Sequence, residues 1–252
     1  MRRIGERLAL SVAIAATPLV MVAAQLPTPD KLAATGGDIT IAPINHATLQ
    51  LTHAGKVIDV DPVAAAGSYA GFAAPDVILI TDIHGDHLDP ATVNKLKKAT
   101  TTVVAPQAAV AQLTAAQITA VVMANGDKKA IEGIEIEAVP MYNLVRKNPQ
   151  GDFFHTKGRG NGYVLTIGGK RLYIAGDTEG VPEMRALKNI DVAFVPMNLP
   201  YTMTEAEAAD AVKAFKPKVV YPYHYRGSDL KKFEDPLKGS GVEVRVRDWY
   251  AK

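Results

Sequence analysis

Short apolar runs separated by turn residues recur along most of the chain at intervals suited to strands. Residues 38–44, 47–52 and 56–60 carry β-branched side chains and are divided by His46 and the turn Ala54-Gly55, which predicts a β meander. Val77-Ile78-Leu79-Ile80 is uniformly apolar, as a strand buried on both faces must be, and it delivers the chain to Asp82. Asp89-Pro90 then opens a helix. The Asp can cap the first free N–H groups, Pro suits the first turn, and Val93 and Leu96 follow at helical spacing. Strands at 102–105 and 118–123 flank a short helix at 108–113, and 131–139 reads as a hairpin turned at Glu132-Gly133.

Between Tyr142 and Gly162 the pattern stops. Lys147, Asn148, Pro149, Gly151, Gly158 and Gly160 make this a polar, glycine-rich loop able to cover a site. A hairpin resumes at 163–167 and 171–175 around Gly168-Gly169 and runs into Gly176-Asp177-Thr178. A helix at 182–187, a buried strand at 192–196, a helix at 205–215 and a strand at 219–223 lead to His224. A helix at 230–237 and a strand at 242–246 follow. Strands first, then mixed strands and helices, in two similar halves, predict an α/β protein of one domain. Its layering is a four-layer αβ/βα sandwich, two sheets face to face with helices outside.

Composition narrows the class. With 252 residues, 48% of them hydrophobic and 21% charged, the chain can bury a large single core and has ordinary globular usage. The net charge of +2 is accounted for by Arg2, Arg3 and Arg7 set against Glu6, so charge implies no nucleic-acid partner. That basic start precedes an apolar stretch at 8–24 containing Pro18, at the short limit for a membrane span. Small residues at Val22-Ala23-Ala24 suit signal peptidase, which predicts a signal peptide at 1–24, an extension at 25–37 and a catalytic domain at 38–252. The expected location is periplasmic or secreted, with no stable membrane anchor after cleavage. There is no cysteine, so any metal must be held by His and carboxylates.

The chemistry concentrates in Thr81-Asp82-Ile83-His84-Gly85-Asp86-His87-Leu88-Asp89. In extended backbone, residues two apart share a face, so Asp82 and His84 project together while Ile83 points to the core. A sharp turn at Gly85 would send Asp86 and His87 elsewhere, toward a second metal. Only six histidines exist, and two more occupy comparable positions: His224 after an apolar strand and His155 in the long loop. Asp177 also follows a strand. Such ends converge at one edge of a sandwich, where mixed imidazole and carboxylate donors suit a divalent ion.

As an ordered set, Asp82-Ile83-His84-Gly85-Asp86-His87, Asn161-Gly162-Tyr163, Gly176-Asp177-Thr178 and Tyr223-His224 resemble the metallo-β-lactamase superfamily, especially a branch similar to ascorbate-phosphate lactonases and phospholipases D acting on N-acylated lipids. The resemblance spans roughly 39–249. It implies that Asp177 bridges two metals, with His84 and His155 on the first and Asp86, His87 and His224 on the second. It also implies hydrolysis by a metal-activated water, with Asp86 orienting that water. One departure is Asp82, where the family has His. A carboxylate there is harder and adds charge, which favours manganese, iron or a single zinc. Alternatively it stands behind the ligands and the first metal is weak.

The expected cofactor is therefore a divalent metal, zinc foremost, as one or two ions, and the expected partner is a small molecule. The bond cleaved would be an ester, lactone, amide or phosphodiester. An iron-dependent oxidoreductase of the same fold, or a metal-binding protein without turnover, are the competing readings. His46 either lines the site or is a satisfied structural histidine. Asn198, Tyr201, Tyr225 and Arg226 follow strand ends that reach the same edge and are candidate substrate contacts.

Overall fold

A computed structural model of the protein describes residues 28–250, so the predicted signal segment at 1–24 lies outside the described residues. The first sheet holds β1 (Asp30–Leu32), β2 (Ile39–Asn45), β3 (Thr48–His53), β4 (Lys56–Val60), β5 (Val77–Leu79), β6 (Thr102–Ala105) and β7 (Ala120–Val122), in that spatial order. The second holds β8 (Lys128–Ile131), β9 (Ile134–Met141), β10 (Gly160–Ile167), β11 (Lys170–Ile174), β12 (Val192–Pro196), β13 (Val219–Tyr223) and β14 (Glu243–Val244), again in chain order across the sheet. Each sheet begins with three antiparallel pairings and ends with three parallel ones. The two halves therefore repeat one pattern.

Alternation along the strands sorts the side chains into layers. Ile58, Val60, Val77 and Leu79 face the second sheet, where Tyr163, Leu165, Ile174, Phe194 and Tyr223 meet them in the central core. Ile78 and Ile80 point the other way, onto α1 (Pro90–Leu96) and α2 (Val110–Ala115). Tyr173, Ala193, Val195 and Val220 likewise pack on α3 (Pro182–Arg185), α4 (Glu205–Phe215) and α5 (Leu230–Leu237). The result is the predicted αβ/βα sandwich. Caps fix the helices where their residues promised: Asp89 accepts from Ala91 and Thr92, and Thr204 and Glu207 form a capping box.

Three details depart from the sequence pattern. The stretch taken as an N-terminal extension contributes β1, which pairs with β2 while Asp30 accepts from Arg247 at 2.8 and 2.9 Å; three residues are too few to show alternation. Strand β10 begins at Gly160, inside the stretch read as loop. Its glycines are there for close approach, since a Cβ on Gly162 would lie 2.8 Å from the Ala175 carbonyl oxygen. Gly85 turns without a positive φ. The turn there is a helical one, with His87 and Leu88 N–H donating to the His84 carbonyl at 2.9 and 2.8 Å.

Strand β4 carries a buried acid with a testable cost. Asp59 is 1% exposed, accepts one hydrogen bond from Gln50 at 2.8 Å, and leaves its other oxygen without a partner. Burial raises its carboxyl from 3.8 to about 6, only partly offset by Gln50. Between those values the folded protein keeps a proton the unfolded chain has released, so stability falls as pH rises through that window and stays lowered above it. Asp59→Asn should accordingly gain about 3 kcal/mol over the unmodified protein at pH 7.5 and only about 0.5 kcal/mol at pH 4. Urea unfolding of both proteins at the two pH values, in chelator, checks this; curves offset equally at both would contradict it.

Candidate metal centre

The parallel halves of both sheets present the C-terminal ends of their strands to one edge, and the candidate residues gather there. Strand β5 delivers Asp82, His84, Asp86 and His87, β11 delivers Asp177, and β13 delivers His224, while the loop between β9 and β10 supplies His155. Gly176 adopts φ +65°, which sets Asp177 across the edge, and a Cβ there would strike the Met141 sulfur. His46 and His224 also hold left-handed backbone, φ 54° and 48°, and are tied together by a His224 N–H to His46 carbonyl bond of 3.0 Å. Strain shared by two such corners is a feature of functional edges.

Asp86, His87, Asp177 and His224 form one group, with Asp82, His84 and His155 as a second; within each, the ligand atoms lie within 4.8 Å of one another. Asp177 stands between the two groups. His87 Nε2 and His155 Nε2 lie 3.3 Å from its Oδ2, and His224 Nε2 lies 3.2 Å from its Oδ1. The Nε2 atoms of His87, His155 and His224 and Oδ1 of Asp177 are buried, yet none has a hydrogen-bond partner among the described residues. Buried polar atoms are seldom orphaned, and four of them converging on one point is the arrangement a divalent cation satisfies. The donor set, His and carboxylate only, fits zinc and its harder neighbours.

Two of the imidazoles are held by partners the sequence pattern did not single out. Asp61, directly after β4, takes His87 Nδ1 at 2.8 Å and the Thr81 N–H at 2.7 Å, so His87 Nε2 must face the centre. Asn143 Oδ1 takes both the backbone N–H (2.7 Å) and Nδ1 (2.8 Å) of His155. Glu179, buried two residues past Asp177, anchors that arm by accepting from Leu144, Val145 and Arg146 N–H at 2.9 to 3.1 Å. His46 packs on the His224 ring, centroids 3.6 Å apart, and bridges the Tyr250 hydroxyl (2.7 Å) to Asp86 (3.3 Å).

Asp82 is the exception among the seven candidate ligands. Both its oxygens are taken by Arg159, through Nε at 3.1 Å and Nη2 at 2.9 Å, and Oδ2 also contacts His84 Nδ1 at 3.0 Å. Burial raises its carboxyl, but His84, His87 and Arg159 more than reverse this and hold it at about 2. Burial likewise works against ionisation of Asp86 and Asp177. Contacts with His224 and His46 for the first, and the charges of His224 and His87 for the second, bring both well below the usual carboxylate range. Burial lowers His87, and the carboxylates of Asp177 and Asp61 outweigh it and raise the imidazole above its ordinary value.

A cavity of about 330 Å³ opens on this centre, lined by His84, Asp86, His155, Asp177, Phe154, Asn198 and Tyr201. Asn198 and Tyr201 thus reach it. Tyr225 does not: its hydroxyl donates to the Arg247 carbonyl at 2.8 Å and its ring packs on Tyr250, which ties it to the C-terminal segment. Its neighbour Arg226 lines an adjoining cavity of about 200 Å³ together with His46 and Asp86.

Comparison with known proteins places this arrangement. The model of the β-lactamase superfamily domain matches residues 40–224, from β2 to His224. The chain belongs to the metallo-β-lactamase superfamily. Within that superfamily it is 32% identical to a UPF0173 metal-dependent hydrolase from Symbiobacterium thermophilum, over 81% of this chain and 90% of that one. A crystal structure described as a metal-dependent hydrolase from Parabacteroides distasonis is 42% identical, with TM-score 0.82, covering 88% of this chain and 99% of the other. The metallo hydrolase Igni18 from Ignicoccus hospitalis shares the fold at TM-score 0.70 and 23% identity, covering 83% of this chain and 94% of its own.

Proposed function

We propose that the chain is a metal-dependent hydrolase that uses zinc held by Asp86, His87, Asp177 and His224, with Asp82, His84 and His155 as a weaker second seat. The observation that carries this reading is the convergence of buried, unpartnered His87, His155 and His224 Nε2 atoms around Asp177 beside an open cavity. The relatives named metal-dependent hydrolases support it. A divalent ion bound there supplies Lewis acidity and a water acidic enough to attack an ester, lactone, amide or phosphodiester at neutral pH.

The chain's own residues do the rest. Asp86 has its side chain 44% exposed, against 4% for Asp177, and is the more open of the two carboxylates of its group that line the cavity. Held far below the ordinary range by its histidine contacts, it stays charged and accepts a hydrogen bond from the attacking water. Asp61 and Asn143 keep His87 and His155 in the tautomer that presents Nε2 inward. Asn198 and Tyr201 line the face where substrate enters. We infer further that residues 1–24 export the protein.

Metal removal tests the reading. Protein stripped with chelator should hydrolyse none of a panel of activated esters, lactones and phosphodiesters, and zinc should restore turnover of at least one. Turnover that survives complete removal of metal would overturn it.

A further inference from the structure

Tyr250 stands 204 residues beyond His46 in the chain, yet its hydroxyl lies 2.7 Å from His46 Nδ1 and accepts from the Tyr225 N–H at 3.0 Å. The segment that carries it is anchored on several sides. Arg247 donates twice to Asp30 of β1, at 2.8 and 2.9 Å, and its carbonyl accepts from the Tyr225 hydroxyl. Trp249 is wholly buried, and its carbonyl accepts from the His46 N–H at 3.3 Å. The Tyr250 ring meets Tyr225 edge to face, centroids 5.0 Å apart, and the Arg226 guanidinium lies 5.2 Å from its centroid.

Proton positions follow from what each group can accept. The Asp86 carboxylate accepts only, so the 3.3 Å contact between its Oδ2 and His46 Nε2 requires the proton on Nε2. Among the described residues, the hydrogen-bond acceptor within reach of the Tyr250 hydroxyl proton is His46 Nδ1. One tautomer satisfies both demands: the hydroxyl donates to Nδ1, and Nε2–H donates to Asp86. The ring so held packs on His224, centroids 3.6 Å apart, with its Nε2 committed to a proton rather than to a metal. On Asp86, Oδ2 then has its donor, and Oδ1, 3.9 Å from His87 Nε2, is left to the centre.

We propose that Tyr250 is a positioning residue of the metal centre: its hydroxyl fixes the tautomer of His46, and His46 in turn fixes the carboxylate of Asp86. This rests on the hydrolase reading above and adds a residue remote in sequence from every candidate ligand. A tyrosine that only packed against the loop after β13 would place no demand on the His46 tautomer.

The test is proton–nitrogen NMR of the imidazoles in zinc-loaded and metal-free protein near neutral pH, with zinc affinity from titration against a competing chelator. In the unmodified protein His46 should show the Nε2–H tautomer alone. Tyr250→Phe removes one oxygen and should give a mixture in which Nδ1–H appears, while the seat that includes Asp86 binds zinc about tenfold more weakly. On a His46→Gln background an amide N–H can reach Asp86 with no tautomer to choose, so there Tyr250→Phe should cost no further affinity. Thermal melts are recorded for each protein. Mixed tautomers in the unmodified protein would overturn the proposal, as would an Nδ1–H signal alone, which is what a His46 bound to zinc through Nε2 would give. So would a tautomer unchanged in Tyr250→Phe, or an affinity loss of the same size on both backgrounds. Zinc held by a protein whose His46 is mixed sinks this inference alone; failure to bind zinc sinks the hydrolase reading, and the metal-free spectra still decide the tautomer.

Discussion

Asp177→Asn should strip the protein of most of its metal and lower hydrolysis by on the order of a thousandfold or more, the scale on which metal activation of water operates. The substitution keeps the side chain's shape and removes only its charge. In the native centre that charge faces three imidazole Nε2 atoms at 3.2 to 3.3 Å, those of His87 and His224 in its own group and of His155 in the other, so no single histidine replacement does equal damage. The same change has an effect without any metal. Burial opposes charging of His87, and Asp177 and Asp61 reverse it; removing one of the two leaves a buried imidazolium short of compensation, a loss of about 3–5 kcal/mol in comparable buried pairs. Elemental analysis and urea unfolding in chelator read the two effects separately. A variant with full metal content would mean that Asp177 is not a ligand.

Arg159→Leu is expected to act in opposite directions on stability and on metal. Arg159 spans both oxygens of Asp82, whose side chain is wholly buried, so its loss leaves a carboxylate with only the imidazoles of His84 at 3.0 Å and His155 at 3.8 Å beside it. Metal-free protein should lose about 3–5 kcal/mol of stability, the cost of breaking a buried ion pair from one side. With metal present, the freed carboxylate joins His84 and His155, and zinc affinity at this weaker seat should rise about tenfold, the scale on which partners behind a ligand tune a site. Unfolding in chelator and zinc titration in a weak competing chelator measure the two. A fall in affinity at the weaker seat would instead make Arg159 the group that orients Asp82 as a ligand.

The parts of the molecule legible in the sequence are those encoded locally. Uniformly apolar runs such as Val192–Pro196 and Val219–Tyr223 fold as strands over the residues the pattern marks, and each ends at the active edge. His and Asp at strand ends stand out because little but a metal explains them. The supporting residues escaped because their meaning is non-local. Asp61 acts on a histidine 26 residues away, Glu179 on backbone 35 residues away, and Arg159 on a carboxylate 77 residues away. Generic polar side chains carry no mark of such pairings, although Asp61 does follow a strand as Asp82 and Asp177 do. The same limit separates Tyr225 from Arg226: neighbours after one strand point to opposite environments, and only tertiary packing decides which faces the cavity.

The measurement that bears most directly on the two-group centre is zinc stoichiometry, by elemental analysis and competitive titration, of the unmodified protein and Asp177→Asn. The expected result is one equivalent retained through desalting, a second taken up more weakly, and both lost or strongly weakened in the variant. An unmodified protein that holds no zinc, or a variant that holds as much as its parent, would contradict the assignment of Asp86, His87, Asp177 and His224 as the primary metal seat.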